Sequence, residues 1–196
     1  MGKVVVFTSL TLDGVMQSPG RPDEDTRGGF THGGWARPYN DPVMASVATE
    51  DMAGTGSILL GRRTYEDFYG YWPHQTDNPY TEVLDNTRKY VASTTLREPL
   101  PWRNSTLLEG DAADAVAGLK RRQDKDMVVL GSGELVRALM RRNLVDRYVL
   151  LIHPLVLGTG RRLFPDGGAP ATLRLAGSRT TSTGVLIATY QQEASR

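Results

Sequence analysis

The sequence predicts an α/β fold: a mixed, mainly parallel sheet flanked by helices and closed by an antiparallel pair. Three observations carry this. Short apolar or β-branched runs alternate with segments of helical period, which is the grammar of βαβ units. Three of those runs break into small or polar residues, "LLGRRT", "VASTT" and "VLGSGE", before the next helical segment. The tail "TLRLAGSRTTSTGVLIATYQ" instead holds two alternating segments about a turn of Gly, Ser and Thr, the signature of an antiparallel pair.

In chain order, residues 4–10 form a first β-branched strand that runs into the turn-prone Asp13-Gly14. The segment "QSPGRPDEDTRGGFTHGGWARPYNDP" is dense in Gly, Pro and Asp and has no apolar period, so residues 17–40 are expected to form a long loop. A loop of that length inside one domain is often a binding loop or lid. Asp41 before Pro42 has the grammar of a helix start, and "VMASVATEDMA" continues at helical spacing to Gly54. A second strand, "SILL", meets Gly61 and two arginines, and Thr64 with Asp67 three positions later suggests a helix starting near Thr64 with an approximate capping box. "KYVAS" reads as a third strand and "DAADAVAGLKRRQ" as an amphipathic helix. In "DMVVLGSGELVRALMRRNLVDRYVLLIHPLVLG" an apolar run breaks at Gly131-Ser132-Gly133, a helix follows to about Arg142, and a second apolar run begins. A chain of 196 residues suits one domain over residues 1–196.

Composition excludes several classes. The formal net charge is +1 with no basic stripe, so neither nucleic acid nor a membrane surface is an expected partner. The absence of cysteine removes disulfides and thiolate chemistry, and redox chemistry would have to be borrowed from a cofactor. No stretch approaches the roughly 18 apolar residues of a membrane span, and the N-terminus lacks a signal-peptide pattern, so a cytoplasmic protein is expected. His32, His74 and His153 are scattered, and no metal is expected. Neither G-x-x-x-x-G-K-[ST] nor G-x-S-x-G occurs.

In open α/β sheets ligands bind beyond the carboxyl ends of the strands, where helix starts offer backbone N–H groups to anions. The three polar strand exits would together form a phosphate cradle. Arg62 and Arg63 stand where the positive end of a helix disfavours them, which suggests an anionic ligand, with a 2′-phosphate and hence NADPH as the natural candidate. The other reading makes them a solvated turn. Asp41 is either a proton source for a bound heterocycle or only a helix cap. Asp13 is a catalytic candidate or a simple turn residue, and Trp35 either stacks on a planar substrate or anchors its loop.

These residues also carry a family resemblance. "ILLGRRTYEDF" and "VVLGSGELVRALM" resemble the two cofactor-binding strand-to-helix turns of dihydrofolate reductases, and "KYVAST" and "LFPDG" fall in the same order. "SLTLDGVM" and "LVDRYVLLIHPLVLGTGRRLF" are similar to the reductase domain of bacterial riboflavin-biosynthesis deaminase-reductases. The resemblance spans nearly the whole chain and implies a dihydrofolate reductase-like three-layer fold, hydride transfer from NADPH to a small heterocycle, and a homodimer. Carried over, Gly61, Arg62, Arg63 and Thr64 hold the adenosine phosphates, with Ser93, Thr94 and Thr95 beside the adenine ribose. Gly131, Ser132, Gly133, Glu134 and Leu135 wrap the pyrophosphate, and Ser9, Val15 and Met16 border the nicotinamide. Two departures concern the substrate: "VMASV" offers no carboxylate where folate reductases place one, and Leu130 precedes the paired glycines where the riboflavin-pathway enzymes carry Glu. The expected activity is therefore a reduction similar to that of 5-amino-6-(5-phosphoribosylamino)uracil. The alternatives are a non-catalytic NADPH-binding sensor or a pteridine or dihydrofolate reductase with an atypical proton donor.

Overall fold

Val4, Val5 and Val6 are consecutive and all buried, which happens when both faces of a strand are covered. The computed structural model, which describes residues 1–193, shows that arrangement. Strands β1 (Val4–Thr11), β2 (Thr55–Gly61), β3 (Arg88–Ala92), β4 (Ser105–Leu108), β5 (Asp126–Leu130), β6 (Arg147–His153), β7 (Leu173–Thr180) and β8 (Leu186–Gln192) form one 8-stranded sheet in the order β4-β3-β2-β5-β1-β6-β8-β7. The strands from β4 to β6 in that order are mutually parallel, and β8 and β7 add antiparallel at one edge.

The helices are α1 (Pro42–Ala53), α2 (Arg62–Tyr71), α3 (Pro79–Asn86), α4 (Ala112–Arg122) and α5 (Gly133–Arg141). One face of the sheet packs Val116, Leu119, Leu135 and Leu139 of α4 and α5 against Val4, Val6, Leu59 and Val129. The other packs Val47, Tyr65 and Leu84 of α1, α2 and α3 against Val5, Ile58, Leu60 and Val128. Alternate residues of the central strands feed opposite cores, so a register slip would exchange the two sets.

Helix α2 begins at Arg62, two residues earlier than Thr64, and the capping box is absent. Gly61 is extended and ends β2, while the Thr64 hydroxyl accepts a hydrogen bond from the Ser132 N–H at 3.2 Å instead of capping its own helix. Asp67 pairs instead with Arg21 of the long loop. Helix α3 and strand β4 are two elements beyond those the sequence pattern predicts. Helix α3 starts at Asn78-Pro79 in the manner of Asp41-Pro42, with the Asn78 side chain accepting from the Tyr80 N–H at 3.0 Å. Strand β4 is a four-residue edge strand, too short for a period to show.

The long loop has its own small core. Val15, Phe30, Trp35 and Ala36 pack together with Leu155 and Leu157. Buried Gln17 ties the loop: its Nε2 donates to the carbonyls of Asp25 (3.1 Å) and Arg27 (2.9 Å), its Oε1 accepts from the Arg161 N–H (2.9 Å), and its carbonyl accepts from Trp35 Nε1 (2.7 Å).

Candidate active site

The exits of β2 and β5 are adjacent in the sheet, and side chains stitch them together. The Gly61 N–H donates to Ser132 Oγ at 2.9 Å, and that hydroxyl donates to the Leu130 carbonyl at 3.0 Å. Gly131 and Ser132 both have positive φ, +55° and +57°. The left-handed conformation costs a residue with a Cβ roughly 1–2 kcal/mol, and such outliers concentrate at functional sites. A Cβ at Gly131 would press on Thr64 Cγ2 at 3.3 Å, and one at Gly133 would meet Met16 Sδ at 2.8 Å. The β2 and β5 turns are thus in close contact at Gly131 and Thr64, and the start of α5 lies close to Met16.

Helix caps divide by position. Asp41, Asn78 and Asp111 cap α1, α3 and α4 through their side chains. Helices α2 and α5, which start at these two turns, have no side-chain cap. The first N–H groups of a helix have no intrahelical acceptor, so α2 and α5 both present donors at neighbouring points. They open on a cleft of about 1020 Å³. Its lining includes Gly61, Arg62, Arg63, Thr64, Ser93, Thr94, Thr95, Gly131, Ser132, Gly133, Glu134, Leu135, Ser9 and Met16. The sequence-predicted cofactor residues thus come together on one surface, with Val15 as the exception.

Arg62 donates from Nη1 to Glu66 Oε2 at 2.9 Å, one turn along α2, while Arg63 is exposed and has no carboxylate partner among the described residues. Ser93 Oγ accepts from the N–H groups of Thr95 (3.1 Å) and Leu96 (3.0 Å), which folds the exit of β3 into a tight turn. Ser132 spends its hydroxyl on the stitch, so the donors this turn offers an anion are backbone N–H groups.

Another part of the cleft lining comes from the long loop, the segment expected to serve as a binding loop or lid. Gln17, Ser18, Glu24, Asp25 and Arg27 line it, facing Asp67 and Phe68 of α2. The loop is clamped to α2 by Arg21, which pairs with Asp67 and lies 4.4 Å from the centre of the Tyr71 ring. Burial raises the Asp67 carboxyl above its ordinary value, and the Arg21 guanidinium offsets this only in part. Asp25 is held by Arg27, at 2.7 Å from Nε and through Nη2, and although burial raises its carboxyl, the bonds from Arg27 bring it below its usual range.

Four predicted site residues lie outside the cleft lining. Asp41 is buried at the start of α1, where its carboxylate accepts from the Val43 N–H (2.8 Å) and from the Ser182 N–H (3.0 Å) and hydroxyl (2.5 Å). The Ser182 hydroxyl and then the Val43 N–H hold it below the usual carboxylate range, the wrong direction for a proton source. Asp13 accepts from Thr11 Oγ1 (2.6 Å) and from the N–H groups of Leu157 (3.2 Å) and Gly158 (2.9 Å), fastening the β1 turn to the segment after β6. Burial raises its carboxyl, but those bonds outweigh it and leave it lowered. Trp35 is a loop anchor with its indole N–H inside the fold, and Val15 is wholly buried in the loop core. Among the described residues no group of three His, Asp or Glu side chains could hold a metal ion, and no helix is long and apolar enough to cross a membrane.

Comparison with known proteins agrees with this architecture. The uncharacterized protein YyaP of Bacillus subtilis (strain 168) is 31% identical over 194 residues, covering 96% of this chain and 94% of that one. A second protein of that strain, YwjB, is 27% identical over 67% of this chain and 71% of its own. Among solved structures, a protein from Shewanella sp. PV-4 provisionally described as a riboflavin biosynthesis protein superposes with a TM-score of 0.69 at 20% identity, over 98% of this chain and 99% of that one. A pyrimidine reductase-like protein from Corynebacterium diphtheriae gives 0.68 at 14% identity (99% and 93%), and Enterococcus faecalis dihydrofolate reductase, complexed with NADP(H), gives 0.65 at 12% (98% of each). The fold is thus dihydrofolate reductase-like, and since the model of the RibD C-terminal domain matches residues 2–187, the chain belongs to that family.

Proposed function

We propose that this protein is an NADPH-dependent reductase that delivers hydride to a small heterocyclic substrate. The observation that carries the reading is the pair of uncapped helix starts, α2 and α5, facing one cleft while the other three helices are capped. Two uncapped starts beside Arg62 and Arg63 suit the separate phosphates of a 2′-phosphorylated dinucleotide. Gly133, where a Cβ would crowd Met16, suits backbone that must pass close to a bound ligand. Membership of a family named for a riboflavin-pathway reductase, and a fold shared with an NADP(H)-binding enzyme, support the same class. When bound, NADPH supplies the hydride. The protein's part is to hold the dinucleotide against the β2 and β5 turns, to position the substrate against the loop wall, and to exclude water. The reading places the enzyme in the cytoplasm as a homodimer. Edge strand β7 is exposed along most of its length and is the natural surface for a second copy.

A fluorescence titration tests the cofactor assignment. NADPH is expected to bind at least tenfold more tightly than NADH, and Arg62→Ala is expected to remove most of that preference, about 1.5–3 kcal/mol for a charge-assisted contact. Equal affinities in the parent protein would refute the 2′-phosphate assignment. Loss of NADPH absorbance against a panel of neutral pyrimidine, pteridine and quinonoid compounds then tests turnover. Tight binding without turnover of any of them would favour the sensor reading.

A further inference from the structure

Reduction of a heterocyclic C=N bond needs a proton as well as a hydride, and neither Asp41 nor Asp13 reaches the cleft. We propose that Glu24, on the loop wall, is the proton donor of this site; the inference rests on the reductase reading above. Each other carboxyl of the lining is engaged. Asp23 and Asp67 face Arg21, Asp25 is bound to Arg27, Glu66 to Arg62 and Glu134 to Arg137, while Asp111 is exposed and caps α4. Glu24 has no ion pair among the described residues. Its Oε2 accepts from the N–H groups of Gly20 (2.7 Å) and Arg21 (3.0 Å), which fixes the side chain, and its Oε1 has no hydrogen-bond partner among the described residues.

The surroundings favour the protonated form. Half-burial raises the Glu24 carboxyl, and the Asp67 carboxylate on α2 adds to the rise, against the two N–H bonds and the Arg21 charge. The other charged groups of this wall are Asp23, Asp25 and Arg27 on the same loop and Arg161 beyond β6. In the step, the C=N carbon of a neutral heterocycle takes the hydride, its π electrons move to nitrogen, and nitrogen forms its N–H bond as the Glu24 O–H bond breaks. The substrate gains two electrons at the expense of the reduced dinucleotide. The carboxylate regains its proton from solvent at the cleft mouth.

The test uses the full chain and Glu24→Gln, whose amide oxygen can still accept both backbone N–H groups. In protein carrying 13C-labelled glutamate, one carboxyl resonance is expected to titrate above the ordinary glutamate value of 4.5 and to be missing from the Gln variant. Titration of that resonance at or below 4.5 would overturn the proposal whether or not a substrate is found. With NADPH and 7,8-dihydropterin, or the panel compound that turns over fastest, Glu24→Gln is expected to lower kcat by at least a hundredfold. Affinity for NADPH should stay within about twofold, and Glu24→Asp should restore part of the rate. Parent activity should fall as pH rises through the Glu24 titration. A Gln variant within threefold of the parent kcat would remove Glu24 from the chemistry while leaving the cofactor reading intact. Failure of the parent to bind NADPH would strike the reductase reading itself.

Discussion

Ser132 concentrates the physics of the β2–β5 junction in one hydroxyl. Ser132→Ala removes the acceptor for the Gly61 N–H and the donor to the Leu130 carbonyl, at 2.9 and 3.0 Å, and keeps the left-handed backbone at φ +57°. An orphaned, partly buried N–H costs about 1–3 kcal/mol and loss of the second bond adds about 0.5–1.5 kcal/mol; the sum spans about 1.5–4.5 kcal/mol, and with Gly61 only partly buried a destabilisation in the middle of that span, about 2–3 kcal/mol, is expected. For a chain of this length each kcal/mol is worth about 2–4 °C, which gives a fall in Tm of roughly 4–12 °C. Ser132→Gly loses the same bonds but relieves the positive-φ cost, so it should recover up to about 1 kcal/mol relative to Ala after the greater unfolded-state freedom of glycine is allowed for. Calorimetry or urea unfolding of the three proteins reads both differences. An Ala variant within about 0.5 kcal/mol of the parent, or a Gly variant weaker than the Ala variant, would refute the assignment of the stitch and of its strain.

Other perturbations test other parts of the molecule. His153 is fully buried, its Nδ1 lying 3.0 Å from the Leu151 carbonyl and its Nε2 without a partner among the described residues, and burial holds it below its ordinary 6.5. The unfolded chain therefore takes up a proton that the folded state refuses. Stability should be full above pH 6.5 and fall as pH drops below it, and His153→Phe should flatten urea midpoints measured between pH 7.5 and roughly 5.5. An equal pH slope in both proteins would contradict this. Lys89, also fully buried, donates from Nζ to the carbonyls of Leu84 (2.7 Å) and Thr87 (2.8 Å) at the end of α3 and lies 4.5 Å from the Trp102 ring centre. Lys89→Met should cost about 2–4 kcal/mol in urea unfolding, because a similar volume replaces the cation but leaves the carbonyls unpaired.

What the sequence disclosed follows from the reach of its signals. Consecutive apolar residues such as Val4, Val5 and Val6 mark a strand covered on both sides, and the small residues after Leu60, Ala92 and Leu130 mark where such strands open. Periodicity and turn chemistry are local, so the sheet, its antiparallel edge and the turns that line the cleft were legible. Helix α3 and strand β4 were not, because eight and four residues are too few for a period to stand out. Asp41 looked like a proton source because a carboxylate at a helix start is ambiguous, and its partner Ser182 is 141 residues away. Glu24 stayed hidden for the same reason. Its setting depends on Gln17, which folds the loop onto itself, and on Arg21, which ties the loop to α2 across 46 residues. Side chains that take their meaning from long-range loop contacts carry no period, and composition shows only that the loop is polar.

The most direct test of the account is a crystal of this protein soaked in NADPH. The pyrophosphate is expected against the Gly133 and Leu135 N–H groups at the start of α5, the 2′-phosphate beside Arg62 or Arg63, and the nicotinamide toward Ser9 and Met16. Saturating dinucleotide that leaves those turns in contact with solvent alone would contradict it.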